Sequence, residues 1–401
     1  MAVATGLAVA NNYYAQPLLP AIGRDLHLRP GVAGLIVTAA QVGYALGLMF
    51  LLPLGDLVER RRLMVLLALG TGAALVWMGV APNGAVLLPA ALAVGAMSVL
   101  AQVLVPFSAS LAPEHERGRV VGMVMSGLLI GILLARTVAG YLAETGSWRV
   151  VYFAAGAAML AQAVVLQRQL PTWREEPGLT YPRLVASVVA LLRREPVLRL
   201  RGVYGLLSFG TFSVLWTSVA FLLAHHYRYS TGTIGLFGLA GAAGAVTATA
   251  AGRLSDRGGA PRSTLVTNVA LVVSWAALWA GGRSVAALVV GIVVLDVGSQ
   301  GLHITNQGEI YRLHAEARSR LTAAYMVMFF IGGATGSVLS ATLYEVWGWN
   351  GVCLVGAAYA VASLTVALVV GVGQHQPGRP APATADALRS PARSPEFSDG
   401  G

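Results

Sequence analysis

Arg136 and Asp296 are charged residues set deep inside apolar runs, in the stretches 120–143 and 285–310. Ionisable groups at such positions are costly, about 2.5–3.5 kcal/mol each on insertion scales. They are either neutralised by pairing or kept for chemistry. Counted from the same side, Arg136 lies about eight residues in and Asp296 about eleven, so at about 1.5 Å per residue their depths differ by only about 5 Å. Opposite charge and similar depth predict that they are partners. Asp296 also begins a polar stripe. Gln300, His303 and Gln307 follow it at i+4, i+7 and i+11, on one helical face, with Asn306 beside them. Such a line can wet a solute path or relay a proton, with Asp296 or His303 as carrier, since a free histidine titrates near neutrality. It can equally hydrogen-bond a neighbouring helix. A single His without further ligands makes no metal site. No phosphate-binding loop or nucleophile–base motif is present, so the sequence argues against an enzyme or a primary ATPase.

The elements that hold these residues are long and apolar. Of 401 residues only 11% are charged, against about 25% in soluble domains, which is too little to coat a soluble surface. The net charge of +10 comes from arginine alone, for there is no lysine. The arginines sit in short clusters between apolar blocks rather than along one face, which argues against a nucleic-acid partner. Turn and charge signals divide the chain into twelve blocks of roughly span length. The first six are about 2–22, 31–54, 63–81, 84–111, 120–143 and 150–167, and the second six about 202–224, 232–251, 263–282, 285–310, 321–344 and 350–372. The expected organisation is therefore all-α: a six-helix half over 1–168, a linker over 169–201, a second half over 202–372, and a disordered tail over 373–401. Pro171, Pro177, Pro182 and Pro196 keep the linker from spanning, and 181–194 reads as an interfacial helix. The first block lacks the basic start of a cleavable signal and is read as a retained span. Cys353 stands alone in an apolar run and reads as a core thiol. Counted by alternate loops, 21 arginines fall on the linker side and 5 on the other. By the positive-inside rule both termini and the linker are cytoplasmic, with lipid as surroundings.

The chain repeats itself at a spacing of about 200 residues. Asp56 and Asp256 follow the second and eighth blocks. Arg117 and Arg119 precede the fifth, Arg318 and Arg320 the eleventh. Gly146-Ser147-Trp148 closes the fifth and Trp347-Gly348-Trp349 the eleventh. An even number of spans per repeat gives two halves of the same orientation, the arrangement that places a binding site between two bundles near the midplane.

On these features the chain resembles the major facilitator superfamily, over essentially 1–372. Gly252-Arg253-Leu254-Ser255-Asp256-Arg257-Gly258-Gly259 looks like the family's loop signature. Pro53-Leu54-Gly55-Asp56-Leu57-Val58-Glu59-Arg60-Arg61-Arg62 is a weaker first-half copy that keeps the Asp and the trailing arginines. The resemblance implies that these loops are cytoplasmic latches, with Asp56 and Asp256 as the acids and Arg60, Arg61, Arg62 and Arg257 as partners. A carboxylate there can also face a helix amino terminus. Gly127 and Gly131 fit the fifth-span signature of proton-driven drug exporters, but Ile132, Ala135 and Arg136 depart from it. Asn12–Leu19 matches a stretch found in a bacterial subgroup of the family. In the family the first, fourth, seventh and tenth spans line the cavity. That nominates Asn12, Tyr13 and Gln16 from the first, Gln102 from the fourth, Ser213, Trp216 and Thr217 from the seventh, and Gln300, Asn306 and Gln307 from the tenth.

The function expected is secondary active transport by alternating access, as a monomer without cofactors: proton-coupled efflux of a small organic or drug-like compound, as in antiporters of multidrug resistance. A metabolite facilitator or symporter stays open. So does a membrane sensor that does not transport, although a sensor needs neither latch loops nor a polar cavity stripe.

Overall fold

The fold is that of a computed structural model, which describes residues 1–172, 180–241, 259–313 and 318–374. The described residues are helical almost throughout. In hydrocarbon every backbone amide and carbonyl must be paired within the chain, and helices do this locally. The long spans are Pro30–Gly55, Arg60–Val80, Gly84–Leu111, Arg117–Glu144, Trp148–Gln169, Pro196–His225, Ala260–Ala280 and Val285–Tyr311, with a turn at 98–99 inside the third of these. The run Arg318–Gln374 contains two spans and turns back at Gly348, whose φ of 60° is open to glycine at little cost. The eighth span is described over Thr231–Gly241.

The first span is broken. Ala2–Ala10 and Ala15–Asp25 are separate helices joined by a turn over 11–14. Pro17 explains the break: it has no N–H, and its ring crowds the carbonyl four residues back, at Tyr13. The second span ends in a π stretch, Gly47–Leu51, and a 3-10 turn, Leu52–Asp56, around Pro53 for the same reason. Helix starts are marked chemically. The Asn83, Ser147, Ser230 and Ser284 side chains accept from amides of their own first turns, and Pro30 and Pro196 open the second and seventh spans. The seventh helix thus begins six residues before the expected block and carries Arg199 and Arg201 into it. A separate helix, Tyr181–Arg194, lies where the linker pattern placed one. Its apolar face packs Leu184 and Val188 inward, and Tyr181 donates to the Phe50 carbonyl at 2.9 Å.

The two halves meet along two seams on the side away from the linker, and the seams repeat each other. In one, the Glu345 carboxylate accepts from the Gly31 amide at 3.2 Å, Ala341 packs onto Gly34, and Ser337 donates to the Gly34 carbonyl. In the other, Glu144 accepts from the Gly232 amide at 2.8 Å, Gly140 packs onto Gly235, and Thr137 donates to the Gly235 carbonyl at 3.1 Å. Gly31 and Gly232, Gly34 and Gly235, Gly140 and Ala341, and Glu144 and Glu345 are each 201 residues apart. Each seam therefore pairs an early span of one half with a late span of the other. Backbones come close because a Cβ at Gly34 or Gly235 would strike its neighbour. Beyond the seams, Asp25 receives hydrogen bonds from Arg149 and Trp148, which hold its carboxyl below the usual range. That contribution to stability is present above the unfolded carboxylate pKa and is lost as pH falls through the folded value. Exposure keeps it small.

Candidate transport site

Arg136 is 3% exposed and Asp296 4%, on helices of opposite halves. They do not form a direct ion pair. The expectation of direct partners gives way to an indirect arrangement: the Trp216 indole joins them. Its Nε1 donates to Asp296 Oδ1 at 3.2 Å, and the Arg136 guanidinium lies 3.9 Å from the centre of its rings. The two charges remain within range of each other. The physical reason is that a flat, polarisable indole offers a face to the cation and an N–H to the anion.

The rest of the guanidinium's surroundings come from both halves. Gln16 Oε1 accepts from Arg136 Nε at 2.7 Å, and the rings of Tyr13 and Phe212 stand 4.9 and 5.8 Å away. The break in the first span places Tyr13 and Gln16 here, at the turn and the start of the second helical piece. The Arg136 Nη2 amino group, though buried, has no hydrogen-bond partner. From the eighth span Gly238 lies against the Arg136 side chain and Gly241 against Asp296 Oδ2, so that part of the span covers the pair at backbone distance.

A cavity of about 390 Å³ opens between the halves on the linker side. Its wall is largely apolar, with Leu52, Val103, Pro106, Leu184 and Val188 among the lining residues. Gln102, Arg60, Arg320 and Tyr311 are its principal polar members. Gln102 continues inward, for it meets the hydroxyl of the buried Tyr44, which neighbours Tyr13. The tenth-span stripe divides in two. Gln300, His303 and Gln307 are half-buried, and His303 Nδ1 is 2.9 Å from the Tyr325 hydroxyl. Asn306 is fully buried and turned into its own half, beside Arg201, which also bonds Thr264 at 2.9 Å and pairs with Glu309 at 3.4 Å. Thr217 is likewise spent on a helix contact, to Ser337 at 3.0 Å, and Ser213 accepts from Gln41 of the second span at 3.1 Å. Asn12 is half-buried at the first-span break.

Of the loop residues, Asp256 and Arg257 lie outside the described residues, as does the Asp56 side chain. Asp56 closes the 3-10 turn. Arg60 faces the cavity, Arg61 pairs with Glu59 at 3.2 Å and donates to the Leu170 carbonyl, and Arg62 is exposed. Gly127 and Gly131, the glycines of the exporter-like stretch, pack against Ala2 and Gly6 of the first span rather than across a seam. Sequence reasoning missed Phe212, Tyr44, Gln41, Arg201, Glu144 and Glu345. The two glutamates could have been found from their 201-residue spacing, and Gln41 from its place in an apolar run. Phe212 and Tyr44 carry no signal that separates them from other aromatic residues of a core.

The major facilitator superfamily description matches residues 1–308 and, again, 202–398. The chain is 52% identical over 367 residues to an uncharacterized transporter, YgaY, of Escherichia coli O157:H7, covering 91% of this chain and 93% of that protein. It is 35% identical to a Streptomyces coelicolor protein named "Probable transporter SCO4007", covering 92% and 86%. Its fold is similar to that of a bacterial homologue of the human lysosomal transporter Spinster, solved in an inward-facing and occupied conformation. The TM-score there is 0.71, with 14% identity and coverage of 92% and 94%. Two helical halves related by sequence repetition, spans of membrane length, and transporter relatives along nearly the whole chain agree: this is a multi-pass membrane transporter, not an enzyme, and it belongs to the major facilitator superfamily.

Proposed function

We propose that this protein moves a small organic compound by alternating access, coupled to protons, with Asp296 as the proton carrier and the linker side in the bacterial cytoplasm. One observation carries the reading: Asp296 is a buried carboxylate that faces a buried arginine of the opposite half across a shared tryptophan. Protonating it removes half of that electrostatic link between the bundles. Proton binding thereby bears on the conformation of the whole molecule. The paired seams on the far side and the cavity on the linker side fit the inward-facing end of such a cycle. The latch residues Asp56, Arg60, Arg61, Arg62, Asp256 and Arg257 would close the opposite end.

Export of a drug-like compound in exchange for protons rests on the exporter-like stretch of the fifth span. The metabolite symporter is the second reading, and the spare Nη2 donor of Arg136 favours it, because that donor calls for an acceptor on the solute. The decisive measurement is compound accumulation in cells with and without the protein, each with and without a protonophore. Asp296→Asn is expected to insert normally and to lose the protonophore-sensitive movement. Transport by this variant with unchanged pH dependence would remove Asp296 as the coupling group.

A further inference from the structure

We infer that the solute is an amphipathic organic anion, held by its carboxylate-like group on Arg136 and carried together with a proton on Asp296. The inference rests on the transporter reading above and names the substrate class of that site.

The contrast between the two charged groups points to an anion. Asp296 is engaged on Oδ1 by Trp216, and Gly241 lies against its Oδ2. Arg136 is the opposite case: Nε is satisfied by Gln16, whereas Nη2 is buried without an acceptor. A buried guanidinium amino group left unpaired is unfavourable, and a carboxylate is the acceptor that matches it in charge and geometry. The Tyr13, Phe212 and Trp216 rings beside the guanidinium supply the surface for an aromatic or aliphatic body.

Charge balance then fixes the proton's direction. Arg136 and ionised Asp296 together are neutral. An anion on Arg136 leaves the cluster with an extra negative charge inside a low-dielectric wall. A proton taken from solution onto Asp296 restores neutrality, and the cluster surrounded by Trp216, Tyr13, Phe212 and Gln16 crosses loaded as Arg136⁺, solute anion and neutral Asp296. It returns empty as Arg136⁺ with Asp296⁻. Both legs carry no net charge in the cluster, so anion and proton move the same way.

The test uses purified full-length protein and three probes that share one ring: 2-naphthoate, 2-naphthamide and 2-naphthylmethylammonium. Thermal midpoints are measured with each, and proton uptake is followed in lightly buffered solution with an indicator dye. The carboxylate is expected to raise the midpoint, and the amide and ammonium are not. Its addition should draw about one proton per protein from solution. Arg136→Gln should weaken the carboxylate's binding at least about tenfold. Because that variant can fail to fold, the proton uptake of the unaltered protein stands as the independent readout. Stabilisation by the ammonium instead, equal stabilisation by all three, no stabilisation by any, or proton release on adding the carboxylate would each overturn the inference. A cation-selective result with Asp296→Asn still uncoupled would sink the anion while leaving the transporter reading intact.

Discussion

Trp216 is the residue on which the site turns. It is buried, it donates to one charge and stacks on the other, and it belongs to the seventh helix, which is buried on nearly every side. A phenyl ring in its place would keep part of the attraction for Arg136 and abolish the hydrogen bond to Asp296. Leaving a buried carboxylate oxygen without its donor costs about 1–3 kcal/mol. Trp216→Phe is therefore expected to lower thermal stability by that amount at pH 8, with less loss at low pH, where a protonated Asp296 no longer needs a donor. Equal losses at both values would show that the indole N–H does not serve the ionised acid. The Arg136→Ala and Asp296→Ala changes should couple through this ring, and a double-mutant cycle on stability reads the coupling.

At the scale of helices, the paired seams make a prediction that single residues do not. Glu144 and Glu345 each reach from the end of one half's late span to the opening amide of the other half's early span. Both contacts join the halves on one side only, so they stabilise the conformation closed on that side and no other. Glu144→Ala and Glu345→Ala should each raise the share of molecules open on the far side. The shift should be a few-fold, since the carboxylates are partly solvated. Arg29 stands 3.8 Å from Glu345, so salt should weaken that clasp in the same direction. Accessibility labelling of a cysteine placed at Gly34 or Gly235 would burden the seam itself; a site one turn away, such as Thr38, reports opening without crowding it. Unchanged labelling in both variants would mean that the contacts do not hold the seam. The fold's element order was legible because membrane length, turn residues and arginine clusters are local signals. The break at 11–14 was legible too, in Pro17, although the first block was read as one span.

For the molecule as a whole, the two ends of the cycle should oppose each other. Asp56→Ala, at the linker-side turn, is expected to favour the form open on that side and slow turnover with little change in solute affinity. Combined with Glu345→Ala, which favours the other form, the equilibrium should move back toward that of the parent. The sites lie at opposite ends of the bundle, so their effects should add. Paired-cysteine labelling on both sides measures the balance. A double variant no closer to the parent than Asp56→Ala alone would show that the linker-side loop is not a latch in this sense.

Several properties were fixed by the amino-acid sequence alone, because they depend on composition and on local order. A chain with so few charges, gathered between apolar runs of bilayer length, has no soluble alternative. Its 201-residue repetition already specified two parallel halves, and the depth of Arg136 and Asp296 in their runs marked them as the costly residues. Which groups those residues touch was decided only by tertiary structure. Depth along a helix is a one-dimensional quantity that sequence supplies, whereas the direction in which a side chain points depends on how each helix is rotated and packed. Asn306 and Gln307 are adjacent in sequence, yet one is buried against Arg201 and the other is half-buried. The same rotation put an indole, rather than nothing, between the arginine and the aspartate.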